Sequence, residues 1–281
     1  MSAIVALGCA ALTPREIGRA AALALHDELV LSPKPGLVTP TDRGSHADMD
    51  ANTFMRSLFA LRGYFGRIAM LGAEGAPFRA LERCGVEAEA RMLAATGGIN
   101  THRGAIFMLG LLCASAGALV GAGRPLSPEA LRDSLRMHWG PALNERALKP
   151  STLPGGIAAR RLGLRSASSE AALAFPTLFE VALPALRAAR AKGLPVRAAR
   201  LQTLFAVMAV LDDSNLAHRG GLEGLRFAQS AARDFLTAGG ASQPNGWALA
   251  AAIGRQFVER NLSPGGAADT LAAACWLDRV V

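Results

Sequence analysis

Residues 103–123 read RGAIFMLGLLCASAGALVGAG, a stretch with no charge between Arg103 and the end of the run. It is long enough to span a bilayer, but it is rich in Gly, Ala, Ser and Cys and follows directly on Asn100, His102 and Arg103. Small residues throughout and polar groups at the entry read as the buried central helix of a globular protein. The rest of the chain agrees. Apolar residues make up 51% and charged residues 19% of 281 positions, enough to bury a sizeable core, and aromatics are only 5%. No run shows the Val/Ile/Thr alternation of a half-buried strand. The expected fold is all-α: one compact multi-helix domain over residues 1–281, with polar inter-helix loops forming one cleft.

Working outward, Thr13-Pro14-Arg15-Glu16 is a capping box with proline at the first helical position, opening a helix to about Leu31. Helices are expected near Asn52–Leu71 and Pro77–Ala95, the second ended by Gly97-Gly98. Ser127-Pro128-Glu129 starts another, and Trp139–Leu164, rich in Pro, Gly and Arg, reads as an extended connection. Helical patterns return at Pro176–Lys192, Pro195–Leu211, Gly221–Thr237 and Gly246–Arg260, and Ser263-Pro264 caps a last helix.

The formal charge of +8 invites a nucleic-acid reading, which the distribution of charge opposes. Lys34, Lys149 and Lys192 are the only lysines, the arginines are scattered, and no basic run is interleaved with aromatics that would stack bases. The expectation is no nucleic acid and no membrane, with a preference for small molecules bearing polyphosphate. Cys9, Cys84, Cys113 and Cys275 show no paired spacing and read as reduced thiols of a cytoplasmic enzyme. The apolar first dozen residues lack a basic leader and a cleavage site, so export is not expected.

Four polar clusters stand at helix boundaries. The first joins Lys34 and Gly36 to Ser45, His46, Asp48 and Asp50; the second joins Glu89 to Gly97, Gly98, Asn100, His102, Arg103 and Gly104. The third runs from Asp212 through Asp213, Ser214, Asn215 and His218 to Arg219, Gly220 and Gly221. The fourth runs from Asn261 through Ser263, Gly265 and Gly266 to Asp269. Glycines before a helix leave amides aimed at one point, which suits phosphate oxygens, and Arg103 and Arg219 stand beside them. Asp48 with Asp50, and Asp212 with Asp213, offer hard oxygen ligands for Mg²⁺ held jointly with polyphosphate, N-capping by Asp50 being the plainer role. His46 and His102 form no zinc set and read as hydrogen-bonding or acid–base groups. Glu89 falls on an apolar helical face, where an unpaired carboxylate is costly, and should meet a cation or a metal.

In this order the clusters resemble the triphosphoribosyl-dephospho-CoA synthase family, which serves malonate decarboxylase and citrate lyase. The resemblance rests on PKPGLV at 33–38, GSHADMD at 44–50, EARMLAATGGINTHRGAIF at 89–107, DSNLAHRGG at 213–221 and NLSPGGAAD at 261–269. It implies an all-α fold and a reaction of ATP with 3′-dephospho-CoA. The 2′-hydroxyl of dephospho-CoA attacks C1′ of the ATP ribose and adenine leaves. The product would pass to a phosphoribosyl-dephospho-CoA transferase and an acyl-carrier subunit. Combined with the clusters, it implies Asp48, Asp50 and Asp213 around Mg²⁺. Lys34, Gly97, Gly98, Asn100, Arg103, Asn215, Arg219, Gly220, Gly221, Ser263, Gly265 and Gly266 would lie around the phosphates and nucleotide. Asp50, Glu89, His46 and His102 remain for catalysis, with no basis for choosing among them.

The chain departs from the family pattern at 166–176, where SASSEAALAFP stands for G-x-R-G-E-A-x-x-G-F-P, and at Thr39, where an aspartate is common. Its stand-alone length favours the malonate decarboxylase branch. Two other readings compete: a Mg²⁺-dependent nucleotide or ADP-ribosyl hydrolase, which would release adenine or ribose without an acceptor, and a non-catalytic nucleotide-binding helical module, which would bind without turnover.

Overall fold

The computed structural model describes residues 12–281; the readings of Cys9 and of most of the apolar N-terminus fall outside them. The described chain is helical, and its only β feature is an isolated bridge between Thr39 and Asp42. In chain order the helices are α1 Pro14–Leu29, α2 Ala51–Leu61, α3 Tyr64–Ala73, α4 Phe78–Thr96, α5 Arg103–Gly121, α6 Pro128–Leu148 and α7 Pro154–Arg161. They continue as α8 Ala167–Ala172, a π-helical turn Thr177–Ala182, α9 Leu183–Ala191, α10 Val196–Met208, α11 Ser214–Thr237, α12 Gly246–Glu259 and α13 Gly265–Val280.

The apolar stretch is the core helix α5, buried from Leu109 through Leu119. Its small residues have a specific use. A Cβ on Gly117 would lie 1.8 Å from the Ala69 carbonyl oxygen, and one on Gly110 would lie 2.2 Å from the Tyr64 hydroxyl. Gly72 of α3 meets Ala114 of α5 in the same way, at 2.0 Å. The α3 and α5 backbones therefore approach at a distance only glycine permits, and the composition that argued against a membrane span is the composition of this seam. The second core helix, α13, packs against α1, α5 and α10, and Trp276 Nε1 donates to the Ile17 carbonyl at 3.2 Å.

The Thr13–Glu16 capping box is present, and Gly97 and Gly98 end α4 with φ of 70° and 89°. Four expectations are corrected. The helix read over Asn52–Leu71 is two helices, broken at Arg62-Gly63, and the break brings the Tyr64 hydroxyl to the Ile106 carbonyl at 3.0 Å. The supposed extended connection from Trp139 is helical to Leu148 despite Pro141, and α7 follows it. Buried Trp139, donating to the Ala76 carbonyl at 3.0 Å, and buried Leu143 hold the continuation, so tertiary packing outweighs the proline penalty. Helix α11 begins at Ser214, seven residues before the expected start, and Gly221 is a kink inside it. Ser263 does not cap α13; the Asp213 carboxylate does.

Candidate active site

The four clusters, spread over more than 230 positions, meet at the N-terminal ends of α5, α11 and α13. In the first and fourth, the Ser45 hydroxyl donates to the Leu262 carbonyl at 2.6 Å, and His46 Nε2 lies 2.9 Å from Ser263 Oγ. The third joins through Arg219, whose Nη1 donates to the Ser45 carbonyl at 2.8 Å and to Asn261 Oδ1 at 2.8 Å, while Nη2 faces His46 Nδ1 at 3.1 Å. Gly104 of the second cluster lies against Asp269 of the fourth, close enough that a Cβ there would fall 1.9 Å from Oδ2. A small side core of Leu29, Val38 and Met49, covered by Phe54, Met55 and Ile99, ties the first cluster to the second.

The Arg219 contact settles the tautomer of His46. A guanidinium only donates, so Nδ1 is an acceptor and the ring proton sits on Nε2, directed at Ser263 Oγ. Burial and the Arg219 charge push the His46 pKa down to about 4, against a smaller upward pull from Asp48. His46 is thus a neutral linker with both nitrogens engaged.

Beneath it lies a buried ionic network. Lys34 Nζ pairs with the Glu28 carboxylate and donates to the Glu28 carbonyl at 2.7 Å, both residues being about 5% exposed. Burial lowers the Lys34 pKa and the Glu28 charge opposes that fall. His102 Nδ1 meets Ser57 Oγ at 2.6 Å, and burial, with Lys34 adding to it, pushes the His102 pKa down to about 3. His102 Nε2 and Thr101 Oγ1 are buried without a hydrogen-bond partner among the described residues, and native proteins leave few such groups.

Several residues sit differently from the sequence reading. Asp213 Oδ1 accepts from the amides of Asn215 and Leu216 at 2.9 and 3.4 Å, and Oδ2 accepts from Ala267 at 3.0 Å. Burial raises its pKa to about 6 against these bonds. With its oxygens committed to two helix ends, Asp213 does not fit the magnesium role. No three His, Cys, Asp or Glu side chains are gathered as a metal site among the described residues. Asp50 caps α2, with Oδ1 accepting from Thr53 N at 2.9 Å, and these bonds to Thr53 hold its carboxyl below its usual range. Asp48 is exposed. The Gly97 and Gly98 amides are spent on the Leu93 carbonyl, and Gly220 makes room for Leu262, so these turns are not open phosphate cradles. Lys34, tied to Glu28, is likewise not free. Glu89 does meet its cation: Arg103 Nε and Nη2 each lie 2.7 Å from Oε1, in a partly exposed pair. Asn100 Oδ1 accepts the Arg103 amide at 3.1 Å, and Asn215 lies against Gly265.

The CitG family, described as ATP:dephospho-CoA triphosphoribosyl transferase, matches residues 14–281. The chain belongs to this family. Relatives named "Probable 2-(5''-triphosphoribosyl)-3'-dephosphocoenzyme-A synthase" include one from Azotobacter vinelandii, 42% identical over 92% of this chain and 88% of its own. One from Vibrio cholerae is 38% identical over 94% and 87%, and one from Acinetobacter calcoaceticus is 37% identical over 92% and 88%. No solved structure matches the chain.

The stretch 166–176, read from the sequence as a departure from the pattern it resembles, is held in place by its own contacts. The family arginine is absent from position 168, yet Arg165 Nη1 lies 2.8 Å from buried Glu170, whose oxygens also accept from Thr177 at 3.1 and 3.3 Å. Arg165 N also donates to Asp212 Oδ2 at 3.1 Å, which ties this stretch to the base of α11. Ala174, at the position of a family glycine, has φ of 57°. Sequence reasoning missed Glu28 and Ser57. The first was findable, because Glu28 continues the stripe Ile17, Ala21, Ala24, Leu25 that faces the core. An open pocket of about 490 Å³ lies elsewhere, lined by Arg19, Leu23, Arg190 and Arg279 among others.

Proposed function

We propose that this protein transfers the triphosphoribosyl group of ATP to the 2′-hydroxyl of 3′-dephospho-CoA, releasing adenine. The observation that carries this reading is the convergence of four separate polar clusters, all within the family match, on one set of helix N-termini. Arg219 and Arg103, partly exposed beside that point, would face the triphosphate together with Asn100, Asn215 and the N-terminal ends of α5 and α13. Both arginines are already oriented, by Asn261 and by Glu89, so little side-chain freedom is lost when phosphate arrives.

Displacement at C1′ passes through an oxocarbenium-like state, which needs a fixed triphosphate, an acid near the departing base and removal of the hydroxyl proton. Magnesium would arrive with ATP and supply charge neutralisation. Asp48, exposed, and Asp50, whose outer oxygen Oδ2 faces Arg43 at 3.3 Å, would be the carboxylates offered to it, in keeping with a cation held by one or two carboxylates plus phosphates. Asp50→Asn keeps the cap on α2 and removes the charge. Turnover should fall about 100-fold while thermal stability holds, and unchanged turnover would remove Asp50 from the metal assignment. The product would serve a malonate decarboxylase acyl carrier, by way of a phosphoribosyl-dephospho-CoA transferase, in the cytoplasm.

The test is adenine release from Mg²⁺ and ATP by the purified protein, with and without dephospho-CoA, followed by mass analysis. Release that needs dephospho-CoA and yields the adduct is expected. Release from ATP alone would make the protein a hydrolase.

A further inference from the structure

The hydrogen of the Ser263 hydroxyl has no acceptor among the described residues, although its oxygen is taken. His46 Nε2 lies 2.9 Å from Ser263 Oγ, and the Arg219 guanidinium facing Nδ1 at 3.1 Å fixes the ring proton on Nε2. His46 therefore donates and Ser263 accepts, so the serine's own hydrogen must point to another group. Ser263 is 4% exposed, and a buried hydroxyl that donates to nothing is costly unless a ligand takes the hydrogen. Ser45, across the same junction, shows the contrast, because it spends its hydrogen on the Leu262 carbonyl at 2.6 Å.

The neighbours of Ser263 are also donors. It stands just before α13, where Pro264 has no amide, the Ala267 amide is committed to Asp213 and the Ala268 amide to the Pro264 carbonyl. The Gly265 amide and the Asn215 side chain donate to nothing among the described residues. They lie side by side, since a Cβ on Gly265 would fall 2.6 Å from Asn215 Nδ2. Gly265 is half-buried and Asn215 exposed, so this group of unspent donors is reached from solvent. Donors alone, at the start of a helix, suit an anion.

We propose that His46 is a positioning residue that fixes the Ser263 hydroxyl as a donor to a phosphate oxygen of the triphosphate; this rests on the synthase reading above. Arg219 donates to His46, His46 to Ser263 and Ser263 to the phosphate, and a charged donor at the head of such a chain polarises the bonds after it. No proton is transferred along it. Arg219 keeps its place without His46, because its Nη1 donates to the Ser45 carbonyl and to Asn261. The part that depends on His46 is the direction of the serine hydrogen. With no donor opposite, Ser263 is free to turn it away from the phosphate.

Two side-chain amides of different length separate the two ends of this relay. His46→Asn can present an oxygen to Arg219 but is too short to reach Ser263, whereas His46→Gln can reach Ser263 with an N–H. Calorimetry measures the binding of inorganic tripolyphosphate with Mg²⁺ to wild type, to both of these, to Ser263→Ala and to His46→Asn combined with Ser263→Ala. Ser263→Ala and His46→Asn should each bind about 10- to 100-fold more weakly, the worth of one hydrogen bond to a charged group. The double variant should match Ser263→Ala within about threefold, and His46→Gln should match wild type as closely. In turnover, His46→Asn should raise the KM for ATP and leave that for dephospho-CoA unchanged. Losses that add in the double variant, or unchanged binding by Ser263→Ala, overturn the relay. If His46→Asn does not fold, nitrogen NMR of the wild-type histidines decides. The His46 ring, assigned by its absence from His46→Gln, should carry its proton on Nε2 and shift when tripolyphosphate binds; a proton on Nδ1, or no shift, overturns the assignment. Wild-type protein that binds no tripolyphosphate overturns it too. The synthase reading fails separately, by the absence of adenine release from ATP and dephospho-CoA in the wild-type tube.

Discussion

Asp213 Oδ2 accepts the amide hydrogen of Ala267 at 3.0 Å while its Oδ1 accepts those of Asn215 and Leu216, so one buried carboxylate caps α11 and α13 together. The two helices are 54 residues apart along the chain at this contact, and the site between them depends on that joint.

Asp213→Ala removes both caps. Each is worth about 1 kcal/mol, so urea unfolding at pH 7 should show a loss of about 2 kcal/mol. Unchanged stability with lost turnover would instead return Asp213 to the substrate or its magnesium.

Lys34 and Glu28 test a different point, whether the lysine at the start of the first cluster belongs to the fold or to the phosphates. Their pair is buried, so Lys34→Met should strand the Glu28 charge and cost about 3–5 kcal/mol. Replacing both, Glu28→Leu with Lys34→Met, should recover most of that loss in a denaturant melt. A stable Lys34→Met protein with a raised KM for ATP would contradict the structural role.

Gly220 and Gly221 are adjacent for unlike reasons. Gly221 has φ 62° and ψ −160°, a conformation open essentially only to glycine, and Gly221→Ala should cost about 1–3 kcal/mol. At Gly220 a Cβ would come within 2.6 Å of Leu262 Cδ2, the end of a side chain that can turn. Gly220→Ala should therefore cost less, and Leu262→Ala in the same chain should relieve it. Thermal melts of the four proteins check the order, and equal losses for the two alanines would sink the distinction.

What the sequence reveals here, and what it conceals, follows from the range of the interactions. The capping box at Thr13, the Gly97-Gly98 terminus and the core helix from Arg103 are local patterns, legible because one or two turns of chain decide them. The run of helix through Pro141 is decided by the burial of Trp139 and Leu143 against distant chain, which no local pattern carries. The site divides in the same way. Motif order named segments that the fold does bring together, and the Glu89–Arg103 pair follows from the cost of a lone carboxylate on an apolar face. That Asp213 is spent on two amides and Lys34 on Glu28 is long-range pairing, so residue types that suit a magnesium triphosphate looked free when they were not.

His102 makes the pH dependence of folding directional. Its folded pKa, pushed to about 3 by burial and by Lys34, lies below the unfolded value near 6.5. At pH 7 both states are neutral and the group contributes nothing. As pH falls below 6.5 the unfolded chain binds a proton that the folded one refuses, so stability declines, by about 2 kcal/mol at pH 5. Asp213 and Asp269 act oppositely, because their raised pKa values let the folded state take up protons first, Asp213 near pH 6, as acid is added. The wild-type curve alone therefore mixes the two signs. Comparison with His102→Gln separates them: between pH 7 and pH 5 the variant should lose about 2 kcal/mol less than wild type in urea unfolding. Parallel curves would mean that His102 takes up its proton in the folded state, and that its unpartnered Nε2 is open to solvent or substrate.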